Sequence, residues 1–471
     1  MEKLDYGRLG FKCGIEIHQQ LETHKLFCNC PSLVNDPNKP DIVFKRWLRA
    51  VAGETGEVDA AAKHEMKKEK YYLYEGCSTS SCLVEMDEEP PHEVNKGALQ
   101  IVLQVSKMLN CNIVDEIQFM RKTVVDGSNT SGFQRTALVG YNGLIETPKG
   151  KVGVTNVCLE EEASKKVKTE KDHIIYRLDR LGVPLIEIGT DASIKDAEHA
   201  KEVASKIGMI LRSTGKVKRG IGSIRQDVNV SIKGHSRVEI KGFQELKSMP
   251  KVIETEVRRQ IALKKKEEPN VRKFEANGTT TFLRPMPGAA RMYPETDVAP
   301  IIVKDFKFED VELIDDRVER FEKLGLGHDL AKNIAKSEKY EWFENFVKKF
   351  KDIKPAFIAS TLVESTKEIK RKFSPDIDKL TDKEFEQIFS YLNEGKISKD
   401  VVMDVLIDYS KGQFSLDKYA TASDEDMEKE IAEIVKQKPC LNPGAYMGIV
   451  MGKFKGKIGG KKAMEILKKY V

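Results

Sequence analysis

Gly14-Ile15-Glu16-Ile17-His18-Gln19-Gln20-Leu21 decides how the rest of the chain is read. Ile15 and Ile17 alternate with Glu16 and His18, the period of two expected of a half-buried strand. Glu16, His18 and Gln20 then share one face and the isoleucines the other. A sheet with one wet face is the bland reading. The pattern recurs, however, in Leu185-Ile186-Glu187-Ile188, in Asp227-Val228-Asn229-Val230-Ser231-Ile232 and in Val238-Glu239-Ile240-Lys241. Asp, Asn and Glu are depleted in ordinary strands. A polar face carrying Glu16, His18, Glu187, Asp227, Asn229 and Glu239 would gather like charges, which a divalent cation relieves. Oxygen ligands with one imidazole suit Mg²⁺ or Mn²⁺.

A chain of 471 residues has length for two or three domains. With 32% charged residues and a net charge of +5, the composition is that of a globular protein without an extreme partner preference. No basic-then-apolar leader pattern opens the chain and no apolar run reaches membrane-span length. Eight cysteines in this length do not make a disulfide scaffold. A reduced, cytoplasmic protein is the expectation.

Residues 1–300 read as strand-rich, with helices near Val94–Leu109 and Ala197–Leu211. After Pro300 the texture becomes amphipathic and helical, with Ile314, Val318, Phe321 and Leu324 on one face. Thr381 with Glu384 forms a capping box ahead of Phe385, Ile388, Phe389 and Leu392, and Gly395 supplies the stop. Ser423 with Asp426 repeats the start signal before Met427, Ile431 and Ile434. The predicted class is α+β: a mixed-sheet domain over 1–300, a helical domain over 301–410 and a small helical tail over 411–471.

Several stretches admit chemistry beside a plainer reading. Leu159 is followed by Glu160, Glu161 and Glu162, a triplet that also suits a solvated helix start. The loop Asp126–Arg135, flanked by Arg121, Lys122 and Arg135, offers small donors and basic groups to phosphates, or is simply a turn. Cys28-x-Cys30 and Cys77-x4-Cys82 are two close thiol pairs: four thiolates would hold a structural zinc, and four unrelated buried cysteines are the alternative. Cys13, Cys111, Cys158 and Cys440 read as core residues. Ser78, Ser80 and Ser81 read as a turn. From Met451 to Val471 the chain holds seven lysines and one glutamate among glycines, a basic, flexible end suited either to a phosphate backbone or to solubility. There is no P-loop, zinc-protease helix or nucleophile elbow.

Taken in order, Gly14–Leu21, Leu159–Glu162, Gly182–Ile188 and Gly222–Asn229 resemble the B/E subunits of tRNA-dependent amidotransferases. The resemblance runs nearly end to end, including the Gly-Lys tail. Leu83–Pro91, Pro287–Asp297 and the four cysteines are closer to the archaeal E type than to the B type.

The resemblance implies a glutamine-synthetase-like catalytic cradle. It implies an enzyme that converts glutamate misacylated on tRNA(Gln) into glutamine. ATP would phosphorylate the glutamyl side chain and ammonia would displace the phosphate. By carry-over His18, Glu161 and Glu187 would hold the catalytic Mg²⁺, with Glu16 at a second ion and all four serving catalysis. Arg121, Lys122, Arg225 and Lys241 would steady the ATP phosphates. Cys28, Cys30, Cys77 and Cys82 would hold zinc, and Lys453, Lys455, Lys457, Lys461 and Lys462 would meet tRNA. The implied partner is an asparaginase-like amidase of the D type, supplying ammonia in a heterotetramer of two D and two E chains. The E type in this family also carries an inserted synthetase-related domain; here a short charged link, about Lys264 to Thr279, stands in its place. A second reading, of another class, is a zinc-containing tRNA-binding module that no longer catalyses. Retention of His18, Glu161 and Glu187 favours the enzyme.

Overall fold

The structure, a computed structural model, describes residues 4–33, 39–49, 51–52, 56–67, 69–288, 291–306, 311–373, 376–419, 424–438, 441–453 and 460–470. Two compact units make up the chain, Met1–Leu313 and Ile314–Val471.

The first unit is built on a mixed sheet of 11 strands. Its path runs from Thr280–Pro285 through Asn270–Phe274, Val238–Lys241 and Ile224–Ser231 to the central Lys12–Gln20. It continues through Pro184–Thr190, Gly150–Glu161, Phe133–Thr147 and Phe119–Thr123 to Met292–Pro294, and Asn112–Ile113 pairs with Phe133–Thr147 off this path. Neighbours are antiparallel except Val238–Lys241 and Asn270–Phe274, which are parallel.

Register carries the alternation of the sequence across the sheet. His18 lies opposite Glu187 and Glu16 opposite Asp227. Ile15, Ile17, Ile186, Ile188 and Val228 are each at most 1% exposed. Burying such a side chain contributes roughly 1.5–3 kcal/mol, so a one-residue slip in any of these strands is costly. Helices close this apolar face. Ala197–Ser213 packs on the Lys12–Gln20 strand, Met249–Ala262 on Ile224–Ser231, and Lys96–Met108 on the Phe133–Thr147 and Gly150–Glu161 strands. The opposite face is left polar.

A second sheet of four strands orders Ile42–Arg46, Tyr71–Gly76, His173–Arg177 and Lys165–Thr169. Tyr72, Tyr74, Ile174 and Tyr176 form its inner core.

Between Ile314 and Val471 the described elements are helices. Thr381 caps Asp382–Asn393 with Glu384 in a capping box, and Gly395 beyond it has φ +70°. Ile314, Val318 and Phe321 are buried on Ile314–Lys323, whereas Leu324 falls beyond that helix and is 40% exposed. Ser423 and Cys440, and the side chain of Met427, lie outside the described residues.

The expected link from Lys264 to Thr279 contains a strand: Asn270–Phe274 pairs with Val238–Lys241 and turns back into Thr280–Pro285. Burial of Val271 on that strand anchors it to the sheet. The described part of the basic end is helical, which its glycines did not suggest. Pro443–Lys453 and Gly460–Leu467 are helices, and with Asp424–Gln437 they bury Ile431, Tyr446, Val450, Ala463 and Leu467 together.

Candidate functional site

Strand alternation brings Glu16, His18, Glu187, Asp227, Asn229 and Glu239 to the polar face of the large sheet, and they divide into two groups. In the first, His18 Nε2 is 3.3 Å from Glu187 Oε2. Glu160 joins them, near enough for one ion to touch all three. Lys122 Nζ lies 2.5 Å from Glu160 and 3.5 Å from Glu187. Burial pushes the Glu187 carboxyl up, but the Lys122 ammonium and His18 outweigh it and hold it well below the usual carboxylate range.

The second group is Glu16, Asp227 and Glu239. Lys241 Nζ is 2.6 Å from Asp227 and also contacts Glu239, while Asn229 donates to Glu16 at 3.0 Å. Three carboxylates face one ammonium. Burial, then Glu239 and Glu187, push Glu16 above its ordinary value, the sign of an acid short of counter-charge. Oxygen donors in this excess, with one imidazole, have the chemistry to hold hard divalent cations.

Glu161 does not join either group. Neighbours on the Gly150–Glu161 strand alternate, so Glu160 faces the cleft and Glu161 the opposite side. There Glu161 accepts from the Arg135 amide at 2.9 Å and lies 3.6 Å from its guanidinium. Glu162 returns to the cleft side, where Gln20 donates to it at 3.1 Å and Arg225 at 2.8 Å. The same alternation separates the expected basic pair. Lys122 enters the acidic group, whereas Arg121 is held on the far side by Glu295 at 2.5 Å and Asp297 at 2.9 Å. Cys158, opposite Glu187 in register, is half-buried on the polar face, not a core residue.

Above these groups is a cleft of about 420 Å³ lined by His18, Glu160, Asp227, Arg225, Lys241 and Arg291, and by Asp126, Ser128 and Asn129 of the loop. Arg291 was missed as a site residue from sequence, although it lies inside the Pro287–Asp297 motif. The loop is held from beneath by the small sheet. Tyr72 donates to the Val125 carbonyl at 2.7 Å, Tyr176 to Asp126 at 2.7 Å and Tyr74 to Gly127 at 2.8 Å. Gly127 has φ +87°, and a Cβ there would lie 2.1 Å from the Tyr72 ring, so no other residue fits.

The thiols assemble as three, not four. Cys28, Cys30 and Cys82 converge with Glu85, and Cys28 Sγ donates to Glu85 Oε1 at 3.0 Å. Interaction with the Cys28 side chain, above all, pulls the Cys30 thiol down to about 7. Cys77 is not part of this group; its Sγ lies 3.7 Å from the Lys39 carbonyl and 3.5 Å from Arg177. Three thiols and a carboxylate remain a donor set that zinc accepts.

Of the tail lysines, Lys455 and Lys457 lie outside the described residues, and Lys453, Lys461 and Lys462 belong to the two last helices. Among the described residues, no helix is long and apolar enough to cross a membrane.

A large sheet with an acid-lined cleft, two lysines among its carboxylates and a loop of small donors above it offers a donor set suited to hard cations and phosphates. The chain belongs to the GatB/GatE family, whose catalytic domain matches residues 11–309. It is similar over its length to the E subunit of the glutamyl-tRNA(Gln) amidotransferase of Methanocaldococcus jannaschii, at 37% identity with 99% of each chain covered. The E subunit of the Archaeoglobus fulgidus enzyme is 37% identical over 99% of this chain and 98% of its own, and that of Saccharolobus solfataricus 34% identical over 99% of each. The first of these alignments spans 626 positions against 471 residues here, so at least 155 positions have no residue of this chain.

Proposed function

We propose that the protein is the transamidase subunit of a glutamyl-tRNA(Gln) amidotransferase, phosphorylating the glutamyl side chain of Glu-tRNA(Gln) with ATP and exchanging the phosphate for ammonia. The observation that carries this is the pairing of two carboxylate groups, each with its own lysine, in one cleft of a chain belonging to the GatB/GatE family. In the first step a γ-carboxylate oxygen attacks the γ-phosphorus of ATP and ADP leaves. In the second, ammonia attacks the acyl carbon, inorganic phosphate leaves, and the amide remains on the tRNA.

His18, Glu160 and Glu187 would hold one Mg²⁺, and Glu16, Asp227 and Glu239 a second. When bound, these ions would neutralise triphosphate charge and polarise the transferred phosphoryl group. The chain's own part is positioning. Arg225, Lys241 and Arg291 present cations to phosphate oxygens across the cleft, and the loop at Ser128 and Asn129 closes the cleft from above. Cys28, Cys30 and Cys82 with Glu85 would hold a structural zinc.

An amidase partner of the asparaginase-like D type, in a D₂E₂ assembly, would supply ammonia in the cytoplasm. Residues 1–300 would form a glutamine-synthetase-like cradle, 301–410 a helical domain, and 411–471 a tRNA-binding tail. The test is direct. The purified protein is incubated with ATP, Mg²⁺, ammonium and Glu-tRNA(Gln), and the amino acid on the tRNA is identified. Glutamine on the tRNA, formed only with ATP, is the expected result; glutamate unchanged by ammonium overturns the reading.

A further inference from the structure

The small sheet spends one face on the core and leaves the other open. With Tyr72, Tyr74 and Tyr176 turned inward, alternation sends Val43, Lys45, Tyr71, Leu73, His173 and Ile175 outward. Trp47 follows the first strand and is 61% exposed, as is Val43. The outward rings form a row across three chain segments. Trp47 and Tyr71 have centroids 5.5 Å apart, and Tyr71 stacks on His173 at 4.8 Å with planes 10° apart. Lys45 Nζ lies 4.2 Å from the Tyr71 centroid and 5.6 Å from that of Trp47. Tyr71 is therefore fixed by its neighbours, and Trp47 is the ring left open.

Charge accompanies the rings. Of the six Lys or Arg on the four strands, Arg46 pairs with Asp87 and Glu88, and Lys166 lies over the inward Tyr176 ring. Lys45, Lys165, Lys168 and Arg177 stand at outward register positions, Lys168 2.5 Å from Glu170. The strands themselves hold a single acid, Glu75. All five residues of the Lys165–Thr169 edge are exposed, three of them lysines. Lysines on an edge strand guard against pairing with another sheet. That explains Lys165, Lys166 and Lys168, but not an open indole on the adjoining face.

We propose that this outer face binds an unpaired RNA segment, one base stacking on Trp47 and the lysines meeting its phosphates. An aromatic ring beside a basic strip is what a splayed base and its backbone require, and a duplex offers no free base face. The inference takes from the transamidase reading only the identity of the RNA, the unpaired acceptor end of the substrate.

Trp47 and Trp342 are the only tryptophans in the chain, and Trp342 belongs to the second unit. Full-length Trp342→Phe therefore reports on Trp47 alone. Titration with the single-stranded RNA ACCA should quench its fluorescence saturably, with about tenfold weaker binding of a blunt RNA duplex or of inorganic polyphosphate. Lys165→Glu with Lys168→Glu should weaken ACCA binding about tenfold and flatten its salt dependence. Trp47→Ala should raise KM for Glu-tRNA(Gln) about tenfold and leave kcat at saturation unchanged. No quench, or equal quench by polyphosphate, overturns the inference. The oligonucleotide readout needs no turnover. Quenching in a protein that does not amidate sinks the transamidase reading alone, and amidation without quenching, with an unchanged KM for Trp47→Ala, sinks this one alone.

Discussion

Glu160, Glu161 and Glu162 are consecutive, and a strand sends consecutive side chains to opposite faces. The sequence showed three acids, and phase decides which meets His18. Isolated Glu16, Glu187 and Glu239 were legible because each stands between apolar residues; an acidic triplet has no such markers, so Glu160 could not be told from Glu161 before the register was known. Glu160→Gln should lower tRNA-dependent ATP cleavage by roughly 100-fold or more, since metal stabilisation of a phosphoryl transfer is worth several kcal/mol. Glu161→Gln should instead act on stability, by about 1 kcal/mol, because an amide keeps the hydrogen bond from Arg135, and its turnover should stay within about tenfold of wild type. Single-turnover amidation beside urea denaturation separates the two; equal loss of turnover in both would undo the phase argument. The thiols make the same point about geometry. Their spacing suggested four ligands, yet the group that converges is Cys28, Cys30, Cys82 and Glu85, without Cys77. Metal analysis should find about one zinc per chain, lost in Cys82→Ser and retained in Cys77→Ser.

Elements were legible where their ends are marked by local chemistry. Thr381, Glu384 and Gly395 bracket a helix because capping bonds are made within a few residues. The strand Asn270–Phe274 carried no such mark, since its partner Val238–Lys241 lies a helix away in sequence and pairs in parallel. Caps also give a pH test. Asp196 accepts from the His199 amide at 2.7 Å at the start of Ala197–Ser213, and Lys149 lies 2.8 Å away. Partial burial pushes the Asp196 carboxyl up, but Lys149 and that amide outweigh it and hold it below the usual range. A depressed folded value means the stabilisation is present at neutral pH and is lost as pH falls through that value. Asp196→Ala should cost about 1 kcal/mol at pH 7, and the difference from wild type should shrink below about pH 4. A difference that persists undiminished at low pH would show that charge plays no part.

At the scale of the molecule, the division into Met1–Leu313 and Ile314–Val471 places the whole cleft in the first unit. The last three helices share one core, so cutting the chain at Asn442 would strip Ile431 and Ile434 of Tyr446, Val450 and Leu467. Charge reversal is the cleaner probe. Lys461→Glu with Lys462→Glu should weaken tRNA binding and lower its salt slope by up to about two, since each lost phosphate contact removes nearly one released counterion. An unchanged slope in filter binding at several salt concentrations would return these lysines to a solubilising role. The glycines of this segment hid its helices, whereas the buried Ile431 and Ile434 had been visible as a helical stripe. The loop over the cleft hangs by its carbonyls from Tyr72, Tyr74 and Tyr176, hydroxyls that belong to another sheet. Those anchors ask nothing of the loop's side chains; the Ser128 hydroxyl donates within the loop, to Asp126 Oδ1 at 2.6 Å, while the main chain keeps its station through the tyrosines. The course of the loop is therefore set from outside it, by residues of a sheet that contributes no side chain to the cleft lining.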